Sequence, residues 1–106
     1  MENMADVEIT VEPEVEDELE VTEPNMWLVI FHNDDKTTME FVMMLLVQLF
    51  HKTMEEAVEI TMKIHNEGQA VVGRYTHEVA EEKMNTSVRT ARAYGHPLNI
   101  SIEEDV

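Results

Sequence analysis

The chain has 106 residues, 23 of them Asp or Glu against 7 Lys or Arg, and no cysteine, which bounds it to one small domain without disulfides or thiolate metal sites. A formal net charge of −16 opposes contact with nucleic acid or an anionic membrane and favours a cationic partner or a solvating role. The N-terminus is acidic, the reverse of a secretion signal, and the longest apolar run, "FVMMLLV", falls far below the roughly 18 residues of a membrane span. These features predict a soluble, cytoplasmic protein.

Residues 1–24 contain 10 acids, no Lys or Arg, and two prolines. Single apolar residues scattered among carboxylates cannot bury enough surface to offset ordering entropy, so this stretch is predicted to be a disordered acidic extension. Residues 25–106 form the expected folded body. "MWLVIF", from Met26, is β-prone and apolar on both faces, as in a covered central strand. Thr37-Thr38-Met39-Glu40 fits a capping box with Thr37 as cap, opening a helix that runs to about Phe50. Thr53-Met54-Glu55-Glu56 repeats the device, and Gly68 stops the second helix.

"AVVGRY" (70–75) reads as a second strand with a glycine inside it. Thr76 caps a third helix with Glu78 in its first turn; Gly95 ends it, and Pro97 follows. "LNISIE" alternates, with Leu98, Ile100 and Ile102 on one face. The order β-α-α-β-α-β predicts an α+β fold, with helices on one face of a three-stranded antiparallel sheet. On the first helix, Met44 and Val47 share a side with Glu40 and His51. That side is expected to face outward, as ordinary surface or as a contact patch.

The corner between the first strand and first helix carries Asn33, Asp34 and Asp35. One acid would serve the helix dipole; here two acids and an amide stand together. In the second helix, Met54, Ala57, Val58, Thr61 and His65 fall on one face, which sets His65 on the apolar side near the cap glycine. Two helices joined by a short loop run antiparallel, so His65 approaches Asn33, Asp34 and Asp35. An amide oxygen, carboxylates and an imidazole suit either a metal ion or a protonated amine. Met39, Val42, Ile64 and Leu98 can line an apolar hollow beside them, which an amine on a large apolar side chain needs and a metal does not. No serine or cysteine nucleophile lies near His65 in sequence and no phosphate-binding glycine loop is present, so no catalytic residue is assigned. His32, His51, His77 and His96 lack ligand spacing and are expected at the surface or at caps.

In this order and spacing, "NDDKTTMEFV", "IHNEG", "YTHEVAEEK" and "HPL" resemble the ClpS family, the adaptors of bacterial Clp proteases that recognise N-degrons. The resemblance spans roughly residues 25–103. It implies an adaptor, not an enzyme, that needs no cofactor or metal and acts as a monomer. Such an adaptor captures substrates beginning with Leu, Phe, Tyr or Trp and hands them to the N-terminal domain of an AAA+ unfoldase of the ClpA or ClpC type. It implies that Asn33, Asp35 and His65 hydrogen-bond the substrate's α-amino group, with Asp34 adding negative charge. Met39 guards the pocket mouth against β-branched side chains, and Val42, Ile64 and Leu98 form the wall. Glu78 and Lys83 face the unfoldase, and the N-terminal extension engages it during hand-off.

Three residues depart from the family's usual pattern. Thr38 stands where proline is common, and Lys36 where an aromatic or apolar residue is frequent, beside Asp34 and Asp35. Thr61 replaces a methionine that often lines the pocket, and implies a larger hollow or a changed preference among bulky side chains. A second reading keeps the fold without terminal recognition: an inhibitor or regulator acting on the unfoldase through the acidic extension and the Glu78/Lys83 face.

Overall fold

In the computed structural model, residues 25–106 are described; the extension expected over residues 1–24 lies outside the described residues. The elements follow in the predicted order: β1 (Met26–His32), α1 (Met39–Leu49), α2 (Met54–Glu67), β2 (Gln69–Thr76), α3 (His77–Ala93) and β3 (Asn99–Asp105). The apolar run of β1 has the expected place. It is the central strand of a β2-β1-β3 sheet and pairs antiparallel with both neighbours.

Alternation along β1 sends Trp27, Val29 and Phe31 toward the helices, where Val29 and Phe31 are fully buried. Leu28 and Ile30 take the opposite face. There Arg74 and Asp105, from the two outer strands, form a 2.7 Å ion pair. The helical side of the core comes from Phe41, Val42, Leu45 and Leu46 of α1 and from Ala57, Thr61 and Ile64 of α2. Helix α3 buries only small residues, Ala80, Ser87 and Ala91, and so approaches the sheet closely enough to touch all three strands.

Several predicted details shift. The buried stripe of α2 is turned relative to expectation: Met54 and Val58 are 61% and 44% exposed, while Ile64 is buried and His65 exposed. The cap of α1 is Thr38, whose Oγ1 accepts from Phe41 N at 3.1 Å. Thr37 is drawn away by the stronger, charged acceptor Asp34. Its N–H and hydroxyl each donate to that carboxylate at 2.7 Å. The second capping box forms as predicted, with Thr53 and Glu56 bonded reciprocally.

Strand β2 carries a bulge between the Val29↔Gly73 and Ile30↔Val71 pairs, which explains the glycine inside a strand pattern. The Tyr75 ring folds over Gly73, where a Cβ would meet ring atoms at 2.5 Å. Met44 and Val47 are half-buried and line a shallow apolar groove with Glu40, Met43, Gln48 and Met54.

The two helix ends flanking α2 solve the same problem differently. Gly68 takes φ +93° and donates its N–H to Ile64 O, which turns the chain directly into β2. After α1, His51 takes the left-handed conformation at φ +58° without being glycine. Lys83 compensates: its Nζ donates to Leu49 O at 2.7 Å and lies within 6 Å of the Phe50 and Tyr75 ring centres. The two sites predict opposite responses in denaturant unfolding. Gly68→Ala, which meets nothing with its Cβ, lowers stability by about 1–2 kcal/mol through backbone strain alone. His51→Gly raises it by up to about 1 kcal/mol, the relieved strain less the entropy of a freer unfolded chain.

Candidate functional site

The site is built where β1 ends and α2 ends. His32 pairs with Gln69 as the last rung of the β1–β2 ladder, and Asn33 N–H then donates to Gly68 O at 2.8 Å. The left-handed turn at Gly68 thus holds the β1–α1 loop against the last turn of α2. A cavity of about 270 Å³ lies in that angle, lined by Asn33, Asp34, Asp35, Thr37, Met39, Val42, Thr61, Ile64 and His65. Its size is near the lower end of the ~300–1,000 Å³ of drug-sized sites, so it suits one amino-acid side chain better than a long ligand.

All four polar residues singled out in the sequence, Asn33, Asp34, Asp35 and His65, border this cavity, as do Met39, Val42, Thr61 and Ile64. Leu98 does not. It is 1% exposed and belongs to the core, outside the lining. Thr37 is a lining residue that sequence reasoning assigned only to the helix cap. Glu78 and Lys83 are remote from the cavity, on α3. Glu78 is exposed, whereas Lys83 is half-buried with its ammonium on the end of α1.

The acids of the corner divide their tasks. Asp34 Oδ1 accepts from Lys36 N at 2.8 Å and Thr37 N at 2.7 Å, while Oδ2 accepts from the Thr37 hydroxyl. Partial burial pushes the Asp34 carboxyl upward. The hydrogen bonds from Thr37 and Lys36, with a smaller contribution from the charge of His96, outweigh it and hold the pKa below the ordinary 3.8. Asp34 therefore organises the loop. Asp35 is exposed, and among the described residues no cation lies within ion-pairing distance of it. Asn33, Asp35 and His65 are exposed where they line the cavity, whereas Thr61 and Ile64 are buried in its lining.

His96 contributes through packing that sequence spacing did not reveal. Its ring stacks on Phe41 at 4.3 Å, Phe41 in turn lies 5.6 Å from the Tyr94 ring, and Arg92 Nη1 donates to the carbonyls of His96 and Leu98 at 3.0 Å each. The α3–β3 connection is thereby fixed behind the Asp34 loop. Among the described residues, no group of three or more His, Asp or Glu side chains is arranged to hold a metal ion, and no helix is long and apolar enough to cross a membrane.

Comparison with known proteins gives a consistent result. The sequence profile of the family described as "ATP-dependent Clp protease adaptor protein ClpS" matches residues 22–101. The ATP-dependent Clp protease adapter protein ClpS of Lawsonia intracellularis is 44% identical over 92 residues, covering 87% of this chain and 84% of the relative. That of Desulfatibacillum aliphaticivorans is 48% identical over 82 residues, 77% of this chain and 79% of the relative. Among solved structures, Agrobacterium tumefaciens ClpS2 bound to L-phenylalaninamide superposes with a TM-score of 0.76 at 29% identity, covering 78% of this chain and 100% of that one. The chain belongs to the ClpS family, the adaptor proteins of ATP-dependent Clp proteases.

Proposed function

We propose that the cavity is a receptor for a protein's free N-terminus bearing a bulky hydrophobic residue (Leu, Phe, Tyr or Trp), which the adaptor delivers in the cytoplasm, as a monomer, to a ClpA- or ClpC-type AAA+ unfoldase. The observation that carries the reading is the meeting, in one small cavity, of an exposed carboxylate, an amide and an imidazole with an apolar hollow. An α-amino group, with a pKa near 8, is mostly protonated at neutral pH and offers three N–H donors. Asn33 Oδ1, Asp35 and His65 supply three acceptors of net negative charge, while Met39, Val42, Thr61 and Ile64 receive the side chain. The phenylalaninamide held by the Agrobacterium protein has the same two parts, a free α-amine and a bulky apolar side chain.

In this scheme Met39, half-buried in the cavity lining, is the gate at its mouth. Its unbranched thioether adapts to several shapes but crowds a side chain branched at Cβ. Glu78 on the exposed start of α3 meets the unfoldase's N-terminal domain, and Lys83 supports that surface while capping α1.

Fluorescence anisotropy with peptides differing at residue 1 tests the receptor. Free Phe and Leu peptides bind, and N-acetylation abolishes binding. His65→Ala and Asp35→Asn each weaken binding by about ten- to a hundredfold, the range for hydrogen bonds to a charged group. Equal binding of free and acetylated peptides would sink the proposal. The gate is tested with the same assay: Met39→Ala admits Ile, which the parent chain excludes.

Asp34→Asn separates loop organisation from ligand contact. Because the folded pKa of Asp34 lies below 3.8, its stabilisation is fully present above that value and is lost as pH falls through the folded pKa. Urea unfolding should show the variant less stable at pH 6, with the difference shrinking as pH falls through the folded pKa of Asp34.

A further inference from the structure

Thr61 is 3% exposed, lines the cavity, and its Oγ1 has no hydrogen-bond partner. A threonine inside a helix ordinarily returns its hydroxyl to the carbonyl four residues earlier. Thr90 of α3 does so here, donating to Thr86 O at 2.8 Å; Thr61 does not. Among the described residues Ser87 is the other buried hydroxyl without a partner, but it lies in the core on α3 and does not line this cavity. A buried, unpaired hydroxyl is destabilising, and the loss is recovered only when a partner arrives. In the free chain the Thr61 oxygen is sealed from solvent; rotation about χ1, which exchanges it with the methyl, turns it toward the cavity that the residue lines, where the ligand can supply that partner.

We infer that Thr61 is a specificity-determining residue that selects an aromatic N-terminal side chain with a hydrogen-bonding tip, tyrosine over phenylalanine. The inference rests on the N-terminal receptor proposed above and names the substrate class that the receptor prefers. Thr61 stands four residues before His65 on α2, a rise of about 6 Å, comparable with the reach of a tyrosine from backbone to hydroxyl. With the amine held at the His65 end, the ring lies between Val42 and Ile64 and the phenol meets Oγ1. A phenylalanine ring fills the same space but leaves the Thr61 hydroxyl sealed and unpartnered, as it is in the free chain. A site with a polar group for a substrate hydroxyl disfavours the analogue that lacks it.

The test uses the full chain, Thr61→Val, which replaces the hydroxyl with a methyl of nearly the same shape, and Thr61→Ser, which keeps the hydroxyl. Dissociation constants are measured for peptides identical except for Tyr or Phe at residue 1, with acetylated Tyr as control, and thermal unfolding is recorded without peptide. The parent chain and Thr61→Ser favour Tyr by about three- to tenfold, the range of one buried hydrogen bond, and Thr61→Val loses the preference. Free Thr61→Val also melts above the parent, because it no longer buries an unpaired hydroxyl. A Tyr/Phe ratio unchanged in Thr61→Val, or a lower melting temperature, overturns the inference while leaving the receptor standing. Equal binding of acetylated and free peptides, or no binding by either free peptide, overturns the receptor and this inference with it.

Discussion

The backbone hydrogen bond from Asn33 N–H to the carbonyl of Gly68, at 2.8 Å, is the contact on which the site depends. It extends the β1–β2 ladder by one rung beyond the sheet, into a loop on one side and a helix cap on the other. Without it, the corner with the two aspartates and the last turn of α2 would be separate surface features. Its geometry requires the chain to turn from α2 into β2 within one residue, which the left-handed Gly68 provides. One non-side-chain contact therefore brings together residues more than thirty positions apart in sequence.

Around that contact, neighbouring residues of like charge have unlike duties. Asp34 accepts three hydrogen bonds from its own loop, and this locks the approach to α1. Asp35, one peptide later, accepts none from the described residues and keeps its charge for the exterior. A carboxylate at the start of a helix would ordinarily be explained by the dipole alone. The pairing shows how two acids at such a corner can divide between holding a backbone and presenting a charge, with Thr37 as the residue that draws Asp34 inward.

How legible the molecule was in its sequence varied with the kind of force involved. Element order, the central position of "MWLVIF" and the Gly68 stop followed from hydrophobic period and from caps, which are local. The identity of the α1 cap did not, because two adjacent threonines compete and the winner is decided by Asp34, whose preference for Thr37 is a tertiary choice among charged acceptors. The buried stripe of α2 was misread by a fraction of a turn: Met54 and Val58 look like core residues by type, but the helix meets α1 and β2 along Ala57, Thr61 and Ile64. Leu98, grouped by alternation with Ile100, is buried like it, one residue before β3 begins. Whether it formed core or cavity wall depended on layer depth, which alternation does not encode. The partners of Lys83 and His96 lie on other elements, so no local pattern could have revealed them.

The direction of β1 has a further consequence. Its C-terminal end opens into the cavity; its N-terminal end, at Met26, pairs with Thr76 and Asp105, and Trp27 packs edge-on against His77 at 4.4 Å. The extension therefore joins the body beside the first turn of α3, at the far end of a seven-residue strand, about 20 Å from the corner at Asn33. The body is a bipolar object, with one pole for what enters the cavity and another where the acidic segment and the α3 surface share a root. A chain entering at Met26 joins the body at the second pole, the length of a seven-residue strand away from the cavity.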